Sequence, residues 1–241
     1  MHQYQTTNKN DWLNDWLSEN NFFVSDHDNF STLLGLSIDF QISLRFFGNK
    51  MIGYKYALVV KADNSLWSKF YTEKSIYVIN TLEAILKEKL SIIFYAEHTP
   101  DNFGVSYNDQ IISCDSIRLS RYFGYLNPNF IENIGGNKEF NKSVNDYFQI
   151  WTKQNLSKFI SCNDIDAFSL FNGKLLLLEL KRPQTEHAKS WLPYTIDKSN
   201  YTSGMLMESS NPLIDFITIS YNSFQDEIIN VFKIQKIQKN Y

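Results

Sequence analysis

Residues 163–183, NDIDAFSLFNGKLLLLELKRP, restrict the fold more than any other stretch of this chain. IDAFSLF and KLLLLELK are two apolar runs joined by Asn172–Gly173. Asn-Gly between such runs is the strongest short-range signal for a hairpin with a two-residue turn. That turn fixes the register: Phe171 faces Lys174, Asp166 falls opposite Glu179, and Asp164 falls opposite Lys181. LLLLEL reads as a strand covered on both faces, as in the middle of an α/β sheet. Two aspartates and a Glu-Leu-Lys ending in such a hairpin need something to offset their charge, because charge inside a sheet is costly.

Side chains alternate along a strand, so Asp164 and Asp166 share one side, as do Glu179 and Lys181. Directly opposed Cβ atoms lie about 4.5–5.5 Å apart, which gathers three carboxylates and one ammonium on a small patch. Opposed carboxylates repel, and the pKa of one of them rises. Mg²⁺ or Mn²⁺ removes that penalty, since hard cations take carboxylate oxygens together with water and substrate phosphate. Lys181 is suited to position or deprotonate a water, or to stabilise charge developing on phosphate. The set suits metal-assisted hydrolysis of a phosphodiester. The competing reading is a surface hairpin with a solvated Asp164–Lys181 ion pair worth about 0–1 kcal/mol. The leucine run weighs against it, because a glutamate ending a doubly covered strand is poorly placed to be idle surface.

The pattern of Asp166, twelve intervening residues, then Glu179-Leu180-Lys181, split by a hairpin, resembles the PD-(D/E)XK nuclease superfamily, which includes many restriction endonucleases and Holliday-junction resolvases. The resemblance covers about residues 131–222 and implies that Asp166 and Glu179 are the metal-binding acids and Lys181 the catalytic lysine. Ile165 stands where the nominal motif has proline. The family usually adds an acid from the preceding helix; Glu139 is the first candidate and Asp146 the second. Asp164 is either an additional metal ligand or a residue that orients Lys181. Gln184 is a further candidate, since some relatives place a glutamine in this neighbourhood. The implied fold is α/β, with a restriction-endonuclease-like core at residues 131–241, a mixed central sheet flanked by helices. An α+β region at 1–130, outside the resemblance, would select or sense the substrate.

The remaining patterns fill in around this core. Trp12, Leu13, Trp16 and Leu17 at helical spacing predict an amphipathic helix near 11–24. LSIDFQISLRFF (36–47), YKYALVVKA (54–62), SIYVIN (75–80) and SIIFYAEH (91–98) predict strands, and NTLEAILKEKL (80–90) a helix. An Asn- and Gly-rich loop is expected at 122–137, then a helix from Asn137 with Phe140, Val144, Tyr147, Phe148 and Trp151 on one stripe. After the hairpin come a helix near 203–210, a strand at 212–222 and a closing helix at 225–238.

Composition narrows the function classes. The chain has 241 residues, is 43% apolar and carries a net charge of −3, so no whole-protein attraction to nucleic acid exists. The window 138–191 is nevertheless slightly basic, with 8 Lys/Arg against 6 Asp/Glu. No apolar run reaches the roughly 18 residues of a membrane span. Two cysteines outside metal-ligand spacing, and an N-terminus without signal-peptide character, lead to the expectation of a cytoplasmic protein with free thiols. No Walker loop, dinucleotide fingerprint or serine elbow is present. Arg182, Lys189 and Lys198 follow the motif and are candidates to contact phosphates, though each taken alone reads more readily as a solvated surface charge.

The resemblance therefore implies an Mg²⁺-dependent endonuclease acting on DNA, of restriction, defence or junction-resolving type, with a homodimer fitting double-strand cleavage. An RNA-directed or ligand-activated nuclease is the alternative enzyme. A nucleic-acid-binding protein that kept the fold without turnover is the alternative outside catalysis.

Overall fold

In the computed structural model, which describes residues 11–96, 101–107, 110–132, 146–181, 198–221 and 229–234, the strands build two mixed sheets flanked by helices, an α/β architecture. The first sheet runs β1 (Phe23–Val24), β8 (Ala167–Phe171), β9 (Lys174–Lys181), β10 (Ile214–Tyr221), β11 (Ile229–Phe232). The second runs β6 (Gln110–Cys114), β5 (Phe103–Tyr107), β4 (Ser91–Tyr95), β3 (Gly53–Lys61), β2 (Gln41–Asn49), β7 (Ser161–Ile165). The β9–β10 and β3–β4 pairs are parallel and the others antiparallel. Each parallel pair has a helix between its strands in sequence, α6 (Lys198–Ser210) for the first and α3 (Glu73–Leu86) for the second, as parallel connections require.

Alternation assigns each strand face to a core. Leu175 and Leu177 of β9, with Ile214 and Phe216 of β10, face an apolar cluster shared with Ile42, Leu44 and Phe46 of β2 and with α3. The opposite face of the first sheet, through Leu178, Leu180, Ile219 and Tyr221, is covered by Leu13 and Leu17 of α1 (Asp11–Glu19). The far face of the second sheet, through Phe47, Val59, Ile93 and Phe103, is covered by α4 (Ser116–Leu126) and α5 (Tyr147–Asn155). Segments 1–130 and 131–241 are interleaved in these sheets, since β1 pairs with β8 and β7 pairs with β2. No helix among the described residues is long and apolar enough to cross a membrane. Neither Cys114 nor Cys162 is in a disulfide.

The hairpin forms at the expected turn. Asn172 and Gly173 have φ values of 51° and 73°, the positive pair that a type I′ turn needs. Its register runs from Phe171↔Lys174 to Ala167↔Leu178.

Other expectations give way to packing. SIYVIN is not a strand but the opening of α3, because Thr72 and Ser75 form a reciprocal capping box and Ser75, Val78, Ile79 and Leu82 bury one helical stripe. Part of the expected 122–137 loop is α4, which Asp115 caps at its N-terminus. Asp146 is the N-cap of α5 rather than a residue within a helix begun at Asn137; residues 133–145 lie outside the described set. The expected closing helix at 225–238 is replaced over 229–232 by β11, antiparallel to β10, where pairing along an open sheet edge outweighs helical period.

The helix that flanks the hairpin lies close against the sheet. A Cβ added at Gly204 of α6 would fall 2.4–2.5 Å from the Phe216 ring. Gly204→Ala is therefore expected to destabilise the protein by about 1–3 kcal/mol, read as a lowered urea midpoint with an unchanged m-value.

Candidate functional site

The parallel β9–β10 register sets four polar residues beyond the apolar part of one face. Glu179 pairs with Thr218, and Lys181 with Ser220. All four continue the side that carries Leu177 and Phe216, where the sheet leaves its core. Glu179 is only 4% exposed. Lys181 Nζ lies 2.8 Å from Glu179 Oε1, and Asn200 Nδ2, in the first turn of α6, donates to the same oxygen at 3.1 Å. Both bonds thus meet on Oε1, and Oε2 takes neither. Lys181 Nζ also stands 5.9 Å from the centroid of the buried Tyr201 ring, a cation–π distance. Thr218 Oγ1 is buried beside Glu179 with no hydrogen-bond partner among the described residues.

Asp166 reaches this group by a route the hairpin rule does not contain. The β8–β9 ladder ends at Ala167↔Leu178. Upstream of it the chain leaves the first sheet, and β7 pairs with β2 of the second. Asp166 is the hinge residue between the two. Its backbone carbonyl accepts from Ser25 N at 3.0 Å, and its carboxylate Oδ2 accepts from Leu180 N at 2.6 Å. The carboxylate therefore serves a β9 amide at the point where β8 pairing has ended. It is held one residue from Glu179 along β9, in a half-buried position. Burial, and then the neighbouring Glu179 charge, push the Asp166 carboxyl well above its usual range, with the Leu180 amide and Lys181 acting in the opposite sense.

Asp164 is placed elsewhere. The expected Asp164–Lys181 pair is absent because the strand has changed sheets: Asp164 lies opposite Arg45 of β2, with Oδ1 3.0 Å from Arg45 Nε. Arg45 Nη2 pairs with Asp146 Oδ2 at 2.5 Å. Asp146 Oδ1 accepts from Gln149 N at 3.0 Å and from the Tyr95 hydroxyl at 3.3 Å. Burial pushes the Asp146 carboxyl up, but Arg45 and these hydrogen bonds more than reverse that and hold it below its usual range. Asp146, the second candidate for the helix acid, is thus bound to Arg45. Glu139, the first candidate, lies outside the described residues, as do Arg182, Gln184 and Lys189. Lys198 opens α6 and is half-exposed.

Of the sequence-derived set, the fold brings together Asp166, Glu179 and Lys181. Asn200, Thr218 and Arg45 were not singled out by the sequence. Arg45 carried a readable signal, a charge on the Ser43–Arg45–Phe47 side of an otherwise apolar strand. Asn200 carried none, because α6 shows no apolar periodicity that would orient it.

The donor chemistry fits a small hard cation. Two carboxylates, one with an oxygen that neither Lys181 nor Asn200 engages and the other raised by burial and by its like-charged neighbour, are donors of the kind a Mg²⁺ or Mn²⁺ that retains several waters takes. Among the described residues no group of three or more His, Cys, Asp or Glu side chains is arranged to hold a metal. Comparisons of the chain with protein-family models, with curated proteins and with solved structures found no match.

The raised Asp166 carboxyl has a consequence for the metal-free protein. Its folded-state pKa lies above the unfolded value, so the folded state retains a proton that the unfolded state releases. Stability from this group falls as pH rises out of the ordinary carboxylate range. Asp166→Asn is expected to raise the melting temperature of metal-free protein at pH 7–8, with the difference vanishing in acid where the Asp166 carboxyl is protonated in the folded and the unfolded state alike. Differential scanning calorimetry in EDTA across pH measures this.

Proposed function

We propose that this protein is a metal-dependent nuclease that hydrolyses phosphodiester bonds, acting on DNA as an endonuclease of the PD-(D/E)XK type. The observation that carries the reading is the convergence of Asp166, Glu179 and Lys181 at the hinge between the two sheets. Each side chain there has a chemical task. Glu179 is oriented through Oε1 by Lys181 and Asn200, and Oε2, which neither of them engages, is the oxygen it would offer a ligand. Asp166 is oriented by the Leu180 amide, leaving its Oδ1 as the oxygen not engaged by that amide. Lys181, partly exposed and anchored at Glu179, can hold the attacking water by one ammonium proton while it stabilises negative charge on a phosphate oxygen. A divalent cation held by Asp166 and Glu179 would polarise the phosphoryl oxygen and lower the pKa of bound water.

The electrostatics support the same reading. Two neighbouring carboxylates, one nearly buried, are held together at a cost that the apo fold offsets only in part, through a lysine and an amide. Such stored repulsion is common where a site is built for a ligand of opposite charge. A homodimer would supply a second site for the second strand of a duplex.

Plasmid and oligonucleotide substrates, as DNA and as RNA, with Mg²⁺ or Mn²⁺ test the reading. Asp166→Ala and Lys181→Ala are each expected to lower the cleavage rate by at least 10²-fold while leaving the circular dichroism spectrum unchanged, and EDTA is expected to abolish cleavage. Metal-dependent cleavage that survives both substitutions, or nucleic-acid binding without any cleavage, would overturn it; the second result would identify a binding module.

A further inference from the structure

Arg45 lies in the segment for which the sequence offers no chemistry, yet it is one of the most deeply buried side chains of the protein, 1% exposed. Its contacts are directional. Nη2 holds Asp146, the N-cap of α5, and Nε holds Asp164 at 3.0 Å and Ser43 Oγ at 3.0 Å. The guanidinium carbon stands 5.4 Å from the Phe148 ring centroid. Nη1 is buried and has no hydrogen-bond partner among the described residues, so ion pairing and ring packing hold the group.

The position of this clamp gives it meaning. Arg45 and Asp164 are cross-strand partners in the β2–β7 ladder. The next pair, Leu44↔Ile165, is the last before the chain leaves the second sheet. Asp166 follows at once, and its carboxylate must reach Leu180 N. The angle at which the strand departs is therefore fixed on one side by Arg45–Asp164 and on the other by Ser25, whose amide and hydroxyl hold the Asp166 and Ile165 carbonyls.

We infer that Arg45 is a positioning residue that sets the Asp166 carboxylate by clamping β7 through Asp164 immediately before the strand changes sheets. The guanidinium spans two carboxylates from different elements, a task that its planar fork performs and the single ammonium of lysine does not. The clamp also occupies Asp146 and Asp164, so neither is left to compete for the cation. Its catalytic importance rests on the nuclease reading, whereas the placement of Asp166 does not.

The test reads that placement directly, in the full-length metal-free protein. Leu180 N–H is bonded to Asp166 Oδ2, so its hydrogen exchange, followed by NMR, reports whether the carboxylate is in place. In Arg45→Lys the Leu180 amide is expected to exchange at least 10-fold faster, while amides in the middle of β9 and β10 keep their wild-type rates. Asp164→Asn, which cuts the link to β7 but leaves the Arg45–Asp146 pair, is expected to act in the same direction and decides the matter if Arg45→Lys does not fold. An unchanged Leu180 rate in the folded variants, or an equal acceleration of every amide in the sheet, would overturn the inference and leave Arg45 a stabilising residue only.

Mn²⁺ titration calorimetry adds the functional arm. Outer contacts of this kind are typically worth 10–100-fold in metal affinity, and Arg45→Lys is expected to weaken Mn²⁺ binding within that range. If wild-type protein binds no Mn²⁺ but Leu180 responds as stated, the nuclease reading fails and the clamp stands. If wild-type protein binds and cleaves but Leu180 and the Mn²⁺ affinity are both unmoved, the clamp fails and the nuclease reading stands.

Discussion

One hydrogen bond, from the Leu180 amide to the Asp166 carboxylate, joins the two sheets at the place where the candidate site is built. It does two things at once. It provides an acceptor for a β9 amide where the β8 ladder has stopped, at a point where an unpaired and buried amide would cost about 1–3 kcal/mol. It also holds an acid against Glu179. Stability and the proposed chemistry are thus met by the same carboxylate, and the chain cannot alter one without touching the other.

The rest of the site follows from the alternation of two parallel strands. β9 and β10 each place apolar residues on the core side for half their length and then change to Glu179–Lys181 and Thr218–Ser220 on that same side. The apolar half locks the register through burial, and the register then fixes which polar side chains meet. α6 contributes by lying close enough, through Gly204 against Phe216, to bring Asn200 onto Glu179. A polar group assembled at the end of a parallel strand pair, beside the first turn of a helix, is also where open α/β sheets commonly hold ligands.

The parts of this arrangement that were legible in the sequence are local. The Asn172–Gly173 turn and the leucine run were enough to pair β8 with β9 in the right register, because turn geometry and burial both act within a few residues. The convergence of Asp166, Glu179 and Lys181 could be expected from that register, although the backbone route to it differs. The sheet change at Asp166 could not be read, because it depends on β2 and on Ser25, more than a hundred residues away. The same distance hid the Arg45–Asp146 and Arg45–Asp164 pairs, which have no signature in local spacing. SIYVIN misleads for another reason: its β-branched residues favour a strand, whereas the Thr72–Ser75 cap and the apolar stripe commit it to α3. Over 229–232, β11 shows the reverse, helical spacing overruled by the edge of β10.

The exchange of strands between the two halves also bears on how the protein is made. As the chain leaves the ribosome, β2 appears long before β7 and β1 long before β8, so both wait with open hydrogen-bonding edges. For β1 and β2 the wait spans well over a hundred residues, many seconds at ordinary synthesis rates of about 5–20 residues per second. Nascent chains stalled before residue 160 would carry unpaired strand edges, a state that invites capture by a chaperone or by another copy of the chain.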